Sequence, residues 1–499
     1  MTAARMRRHI VIVGAGMGGL AAAIDLARRG ASVTVVEQAA APGGKMRRVE
    51  VDGAGIDGGP TVFTMRWVFD GLLRDAGVRL EDLLQLMPAE ILARHAWRDG
   101  SRLDLHADID RSADAIAAFA GAAEADGYRR FCARSRDIYR TLLGPFIDAQ
   151  RTSPFELSRR VGFGNIAAVR AMRPWQRMWP ALGQYFRDPR LQQLFGRYAT
   201  YCGSSPFSAP ATLMLVAHVE QDGVWLVRGG MHEVALALAQ VAAKHGAELR
   251  YGCEVRELLV SGGNCTGVLL DDGRRIDADA VVFNGDSGAL ASGLLGASAI
   301  GAAPAVRRES RSLSAITWCL RTATRGFPLV RHNVFFAEDY RQEFKAIFAE
   351  RRVTEAPTVY VCAQDRGDDG GAIDGSERLL VLVNAPADGD RGAIAAAEFS
   401  DIEQRVFALM AACGLEVDRD TAAVVTDPSR FDDLFPGAGG AIYGRATHGA
   451  FATFARPGAR SRMPGLYLAG GSVHPGPGVP MAALSGRRAA ESVAADLQL

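Results

Sequence analysis

Ile10-Val11-Ile12-Val13-Gly14-Ala15-Gly16-Met17-Gly18-Gly19 is the stretch that decides how this chain is read. A short β-favouring apolar run enters a glycine cluster. Leu20, Ala23, Ile24 and Ala27 then recur at helical spacing, giving strand, glycine turn and helix in that order. Gly14 permits the tight turn, and Gly16 lets backbone approach a pyrophosphate beside Gly18. Gly19 lets helix and strand pack closely, with phosphate charge facing the helix N-terminus. A second strand, Ala31 to Val36, follows a helix stop at Gly30 and ends in Glu37, at the distance expected of an acid that contacts a ribose hydroxyl. The series predicts a dinucleotide site. Glu37 disfavours a phosphorylated ribose but does not by itself separate FAD from NAD.

The rest of the chain bounds the setting. Its 499 residues favour two or three domains at roughly 100–200 residues each. With 48% hydrophobic residues, 23% charged residues and 56 glycines, the composition is that of a globular α/β protein. A formal net charge of +1 offers no overall field to attract nucleic acid, so nucleic-acid binding is not expected. Seven cysteines run from Cys132 to Cys413 without a CxxC pair, which suits reduced thiols in the cytosol. The start resembles a signal peptide, but its apolar run is short and breaks into glycines. No run approaches the about 18 apolar residues that span a bilayer, so any membrane contact is expected to be peripheral. GxSxG, HExxH and clustered Cys/His spacings are all missing, which removes serine-hydrolase and metalloenzyme readings.

Further glycine-rich approaches follow at Ala41-Pro42-Gly43-Gly44-Lys45 and Asp57-Gly58-Gly59-Pro60-Thr61. Near the C-terminus, Gly465 to Gly470 reads as a buried strand entering a glycine turn. Gly471 to Gly478 carries His474-Pro475-Gly476-Pro477 ahead of Val479-Pro480-Met481, and a helix from Ala482 to Leu497 closes the chain. In the middle, Gly229-Gly230-Met231 opens a helix to His245. Strands are predicted over Glu248 to Val255, Leu258 to Val260, Gly267 to Leu270 and Ala280 to Phe283, with turns at Ser261 to Asn264 and Asp271 to Arg274.

These motifs resemble the FAD-binding flavoproteins of the amine oxidase and phytoene desaturase superfamily. Together, GAGMGG, Gly58 to Thr61 and His474 to Pro480 resemble the carotenoid desaturase family nearly end to end. Finer runs are similar to its hydroxyneurosporene desaturase branch: Phe195-Gly196-Arg197-Tyr198-Ala199-Thr200-Tyr201, Phe283-Asn284-Gly285-Asp286 and Gly440-Ala441-Ile442-Tyr443-Gly444. The resemblance implies FAD as cofactor and a long apolar acyclic carotenoid as substrate, desaturated at the 3,4 bond of a 1-hydroxylated chain. It places Gly43, Gly44 and Lys45 beside the pyrophosphate or flavin, Val255 at the adenine, and Gly470 and Gly471 along the cofactor. The backbone of Val479, Pro480 and Met481 would face the flavin pyrimidine, where a helix N-terminus stabilises negative charge. Two positions depart from the family pattern: Val473 stands where threonine is usual, and Gly471 where many flavoproteins carry an acid.

The implied fold class is α/β: a doubly wound Rossmann-type FAD-binding domain with an inserted mixed-sheet and helical substrate lobe. The FAD domain is expected to be discontinuous, 1–92, 225–296 and 457–499. A helical lobe would occupy 93–224 and a mixed α/β lobe 297–456. Arg173-Pro174-Trp175-Gln176-Arg177-Met178-Trp179-Pro180 mixes tryptophans with arginines, as expected either where a protein rests on an inner-membrane headgroup layer or in a buried aromatic cluster. Arg5, Arg7 and Arg8 read as a solvated tail.

Hydride loss next to a polyene leaves a delocalised cation, so only a weak base is needed and no catalytic dyad need be visible. None is, and the catalytic residue stays unassigned. His474 is either a base or a histidine bonding its own loop. His218 and Glu220 either touch a substrate hydroxyl or are ordinary helix positions. Other desaturases, amine or porphyrinogen oxidases, and a non-enzymatic prenyl-lipid carrier share the scaffold and stay open as alternatives.

Overall fold

The computed structural model describes residues 7–162, 175–367, 370–371, 373 and 375–499. Arg5, Arg173 and Pro174 lie outside the described residues. A parallel sheet of five strands forms around the opening motif. Its order is Glu248–Tyr251, Ser32–Glu37, His9–Val13, Ala280–Phe283, Leu466–Leu468. Ile10 pairs with Val33 on one side and Ala280 on the other, and Val281 continues to Leu466. These strands are Val- and Ile-rich because both faces are buried, as parallel sheets require.

The alternation of side chains divides the sheet between two cores. Ile10, Ile12, Val35 and Val282 pack into the core shared with the helices Met17–Ala27, His232–Lys244 and Val479–Leu497. Val11, Val36, Val281 and Leu466 face the other way, onto Val255, Leu258 and Val268. Those three belong to an antiparallel meander, Val255–Ser261, Asn264–Leu270 and Arg275–Asp277, which packs on the second face together with the short helix Ser287–Ala291. The single strand expected from Glu248 to Val255 is two strands in different sheets. Gly252, at φ +63°, turns the chain out of the parallel sheet, and Val255 begins the meander.

The second large sheet has seven strands, in the order Ala423–Thr426, Ser314–Thr322, Glu377–Ala385, Val359–Ala363, His332–Phe335, Ile91–Ala96, Arg102–His106. It is mixed, because His332–Phe335 runs parallel to Ile91–Ala96 while the other pairs are antiparallel. Segment 93–224 therefore contributes strand as well as helix. Trp318, Phe335, Val381, Val406 and Met410 form the core beneath this sheet, the last two from the helix Ala396–Ala412. Among the described residues, no helix is long and apolar enough to cross a membrane.

The first and last helices meet with almost no space between them. A Cβ added at Gly486 would lie 2.0 Å from the Gly18 carbonyl oxygen. Gly486→Ala is therefore expected to lower the apparent thermal unfolding midpoint, with a cost of about 1–3 kcal/mol, as for overpacking. Gly144→Ala, whose added carbon meets nothing within 4 Å, is the matched control. Calorimetric scans of both variants check this, and equal midpoints would contradict the packing argument.

Candidate functional site

The site grows from the carboxyl end of the first strand. Gly14 takes φ +98° and donates its N–H to Val36 O at 2.8 Å. Asn284, at the end of the neighbouring strand, donates its amide to Gly14 O at 3.2 Å and packs over the glycine turn. A Cβ at Gly16 would lie 2.8 Å from Asn284 Nδ2, one at Gly18 2.5 Å from Asn284 Oδ1, and one at Gly19 2.1 Å from Gly14 O. Backbone is therefore all that this turn can present, which is what a phosphate-binding helix start requires.

Glu37 is buried at the end of the second strand. Its carboxylate accepts the N–H groups of Ala15 at 2.7 Å and Ala39 at 2.9 Å. Burial raises its pKa, and backbone bonds from Ala39, Ala15 and Gln38 pull the other way. A carboxylate held by backbone, with lone pairs left over beside a glycine turn, fits a sugar diol. Val255, 8% exposed, lines the same cavity with Glu254.

Gly43 and Gly44 both adopt positive φ, +123° and +57°, and Gly43 donates to Ala15 O at 2.9 Å, which holds this loop against the opening turn. Lys45 turns inward: its ammonium donates to Ile442 O at 3.0 Å and lies 5.5 Å from the Phe435 ring centre. Burial lowers its pKa, partly opposed by Asp286. Gly470 takes φ +108° and donates to Ser485 Oγ at 2.6 Å. Where an acid is common, Gly471 instead offers its carbonyl to Arg456 at 3.0 Å. Arg456, 2% exposed, also donates to the carbonyls of Tyr443 and Arg445, and burial lowers its pKa to about 10. No motif marks Arg456 in the sequence; only its contacts reveal that it braces this turn. Val479, Pro480 and Met481 open the last helix onto the cavity behind Gly478, and no side chain caps that end.

One cavity of about 1480 Å³ joins all these groups. It exceeds the roughly 300–1,000 Å³ of an ordinary ligand pocket, so it has room for more than one large ligand. Beyond the glycine turns its wall becomes apolar, with Phe146, Ile147, Leu213, Leu215, Val216 and Val219. The lining also carries a polar group, Thr61, Arg197, Tyr201, Glu220 and Tyr360. Glu220 lines this cavity. His218 does not; its ring packs edge-on to Tyr139 at 5.0 Å. His474 also lies outside the lining. It bonds Ala149 O at 3.1 Å and packs edge-on to Phe146, and burial lowers its pKa to about 4. The two tryptophans separate: Trp175 is 66% exposed, while Trp179 packs on Phe207 at 4.4 Å.

Comparison with known proteins gives a consistent picture. The family profile described as flavin containing amine oxidoreductase matches residues 17–494. A protein of Rubrivivax gelatinosus named hydroxyneurosporene desaturase is 55% identical over 99% of this chain and 94% of its own. A 1-hydroxycarotenoid 3,4-desaturase of Flavobacterium sp. is 30% identical over 97% of this chain and 99% of its own. Among solved structures, an oxidoreductase from Methanosarcina mazei superposes with a TM-score of 0.59 at 17% identity. The match covers 97% of this chain and 100% of that one, and it concerns the fold alone.

Glu343 offers a pH test of the packing behind the cavity wall, since its partners Thr358 and Asn384 line the cavity. It is fully buried, accepts from Thr358 N at 3.2 Å and from Asn384 Nδ2 at 3.1 Å, and burial lifts its pKa from 4.5 to about 7. The folded state therefore holds a proton that the unfolded state releases. This contribution is complete below about pH 4.5, is lost as pH rises through about 7, and amounts to about 3 kcal/mol. Glu343→Gln is expected to flatten the fall in stability over that window, read from denaturant midpoints at pH 5 and pH 8. An unchanged slope would refute the assignment.

Proposed function

The chain belongs to the flavin containing amine oxidoreductase family, and from that premise we propose that it is an FAD-dependent carotenoid desaturase acting at the 3,4 bond of 1-hydroxylated acyclic carotenoids such as 1-hydroxyneurosporene. One observation carries the reading: a dinucleotide cradle and an apolar wall belong to a single cavity of about 1480 Å³. FAD supplies the two-electron acceptor to which the allylic hydrogen leaves as hydride.

The protein's own part is binding, orientation and exclusion of water. In the proposed assignment, Gly14, Gly16, Gly18 and Gly19 meet the pyrophosphate, Glu37 the ribose and Val255 the adenine. Gly43, Gly44 and Lys45 flank the pyrophosphate or flavin, and Gly470 and Gly471 follow the cofactor. Val479, Pro480 and Met481 point a helix N-terminus at the pyrimidine, where negative charge is favoured. Apolar side chains such as Leu213, Val216 and Val219 hold the polyene and keep water from the cation it carries after hydride loss. A proton beside such a cation is acidic enough for a weak acceptor, so no strong base is assigned.

The proposed organisation is a discontinuous FAD domain (1–92, 225–296 and 457–499) carrying substrate lobes at 93–224 and 297–456. We also propose peripheral contact with a membrane from which the carotenoid enters. Support comes from the exposed Trp175 and Phe451 and the exposed arginines Arg151 and Arg159.

Purified protein loaded with FAD, incubated anaerobically with 1-hydroxyneurosporene in liposomes, should bleach the flavin and give a red-shifted polyene spectrum. Bound FAD with neither change would redirect the search to phytoene, neurosporene and then amines. Gly16→Val should abolish FAD retention and activity together. Retained flavin would remove the dinucleotide assignment.

A further inference from the structure

The polar part of the cavity lining contains an arrangement to which the proposed desaturation assigns no role. Arg197 lies with its guanidinium carbon 5.4 Å from the centre of the Tyr201 ring and 5.3 Å from that of Tyr360. It donates to the Tyr201 hydroxyl at 3.4 Å, and among the described residues it forms no ion pair. Tyr198 donates its hydroxyl to Glu220 Oε2 at 2.7 Å, and its ring lies 5.7 Å from that of Tyr201. Tyr201 thus contacts both the guanidinium and the tyrosine that holds the carboxylate, and Arg197, Tyr201 and Glu220 all line the cavity.

Charged groups facing an apolar chamber are costly unless something there pairs with them. A 1-hydroxylated polyene carries one polar group, a hydroxyl that is both donor and acceptor. The cluster offers the matching pair, guanidinium donors on Arg197 and acceptor oxygens on Glu220. Its place in the cavity also suits a hydroxyl close in the chain to the reacting bond. Thr61, which ends the Gly58-Gly59-Pro60 turn, shares a 2.6 Å hydrogen bond with the Tyr360 hydroxyl, and Arg197 covers the Tyr360 ring. That turn is pressed against the cofactor loop, since a Cβ at Gly59 would lie 1.8 Å from Lys45 O.

We infer that Arg197, Tyr201 and Glu220 form the specificity site that receives the terminal hydroxyl of the carotenoid and so discriminates against the unhydroxylated chain. The inference rests on the desaturase reading and adds to it the residues that read the substrate. A chain lacking the hydroxyl leaves the remaining guanidinium donors and carboxylate lone pairs desolvated without a further partner, the situation in which enzymes reject an analogue most strongly.

The test compares 1-hydroxyneurosporene with neurosporene in the same liposomes, using FAD-loaded wild type, Arg197→Met, Glu220→Gln and Tyr201→Phe. The readout is the ratio of kcat/KM for the two substrates, with bound flavin and melting midpoint as checks on folding. Wild type should favour the hydroxylated chain. Each variant should lower that ratio about 10- to 100-fold, the value of a hydrogen bond to a charged group. Tyr201→Phe removes one oxygen atom and carries the test if a charge variant fails to load FAD. Equal use of both substrates by wild type, or an unchanged ratio in the flavin-loaded variants, overturns the inference and leaves the desaturase reading standing. No turnover of either carotenoid by flavin-loaded wild type overturns both.

Discussion

Backbone meets backbone at Gly18, and the arrangement of the cofactor half depends on that contact. A side chain there would strike Asn284 Oδ1, Gly470 N at 2.8 Å and Ala482 O at 3.0 Å. Three chain segments far apart in sequence therefore converge on one glycine: the opening turn, the end of the Ala280–Phe283 strand and the C-terminal turn. Asn284 bonds Gly14, Ser485 bonds Gly470, and the glycine face of the first helix lies on the last helix. Close packing at this point brings two helix N-termini and two glycine loops to a single cavity.

The cavity combines two environments with different requirements. Phosphate, ribose and pyrimidine need directed polar groups, which backbone supplies without mobile charge. A polyene needs a dry apolar wall, which the 213–219 segment and Phe146 supply. Burial also lowers the pKa of His332 to about 3 and that of His448 and His474 to about 4, so these imidazoles stay neutral near neutral pH. Of the positive charges around the chamber, Lys45, Arg197 and Arg456 are each held by carbonyls, a hydroxyl or aromatic rings.

How much was legible in the sequence depended on how local the signal was. The turn at Gly14 to Gly19 and the acid at Glu37 were readable because strand period, helix period and glycine spacing are encoded within about thirty residues. Val255 was placed in a strand correctly, but the break at Gly252 was hidden, because a β-type run continues across a glycine that tertiary pairing alone assigns to a turn. His474 sits in a glycine- and proline-rich motif, yet its ring contacts Ala149 and Phe146, more than three hundred positions away. No spacing rule reaches that far.

The sequence by itself determined the glycine turn with its strand, helix and acid, and the family to which the motifs point. Each follows from short-range periodicity or from residue types in a fixed order. Only the tertiary structure decided that Ile91–Ala96 and Arg102–His106 join the mixed sheet, that Arg456 braces the turn at Gly471, that Glu220 faces the cavity while His218 does not, and that Arg197 lies between Tyr201 and Tyr360. The physical reason is common to all four. A side chain's partner across the fold is set by which surfaces pack together, and packing depends on the whole chain rather than on neighbours along it.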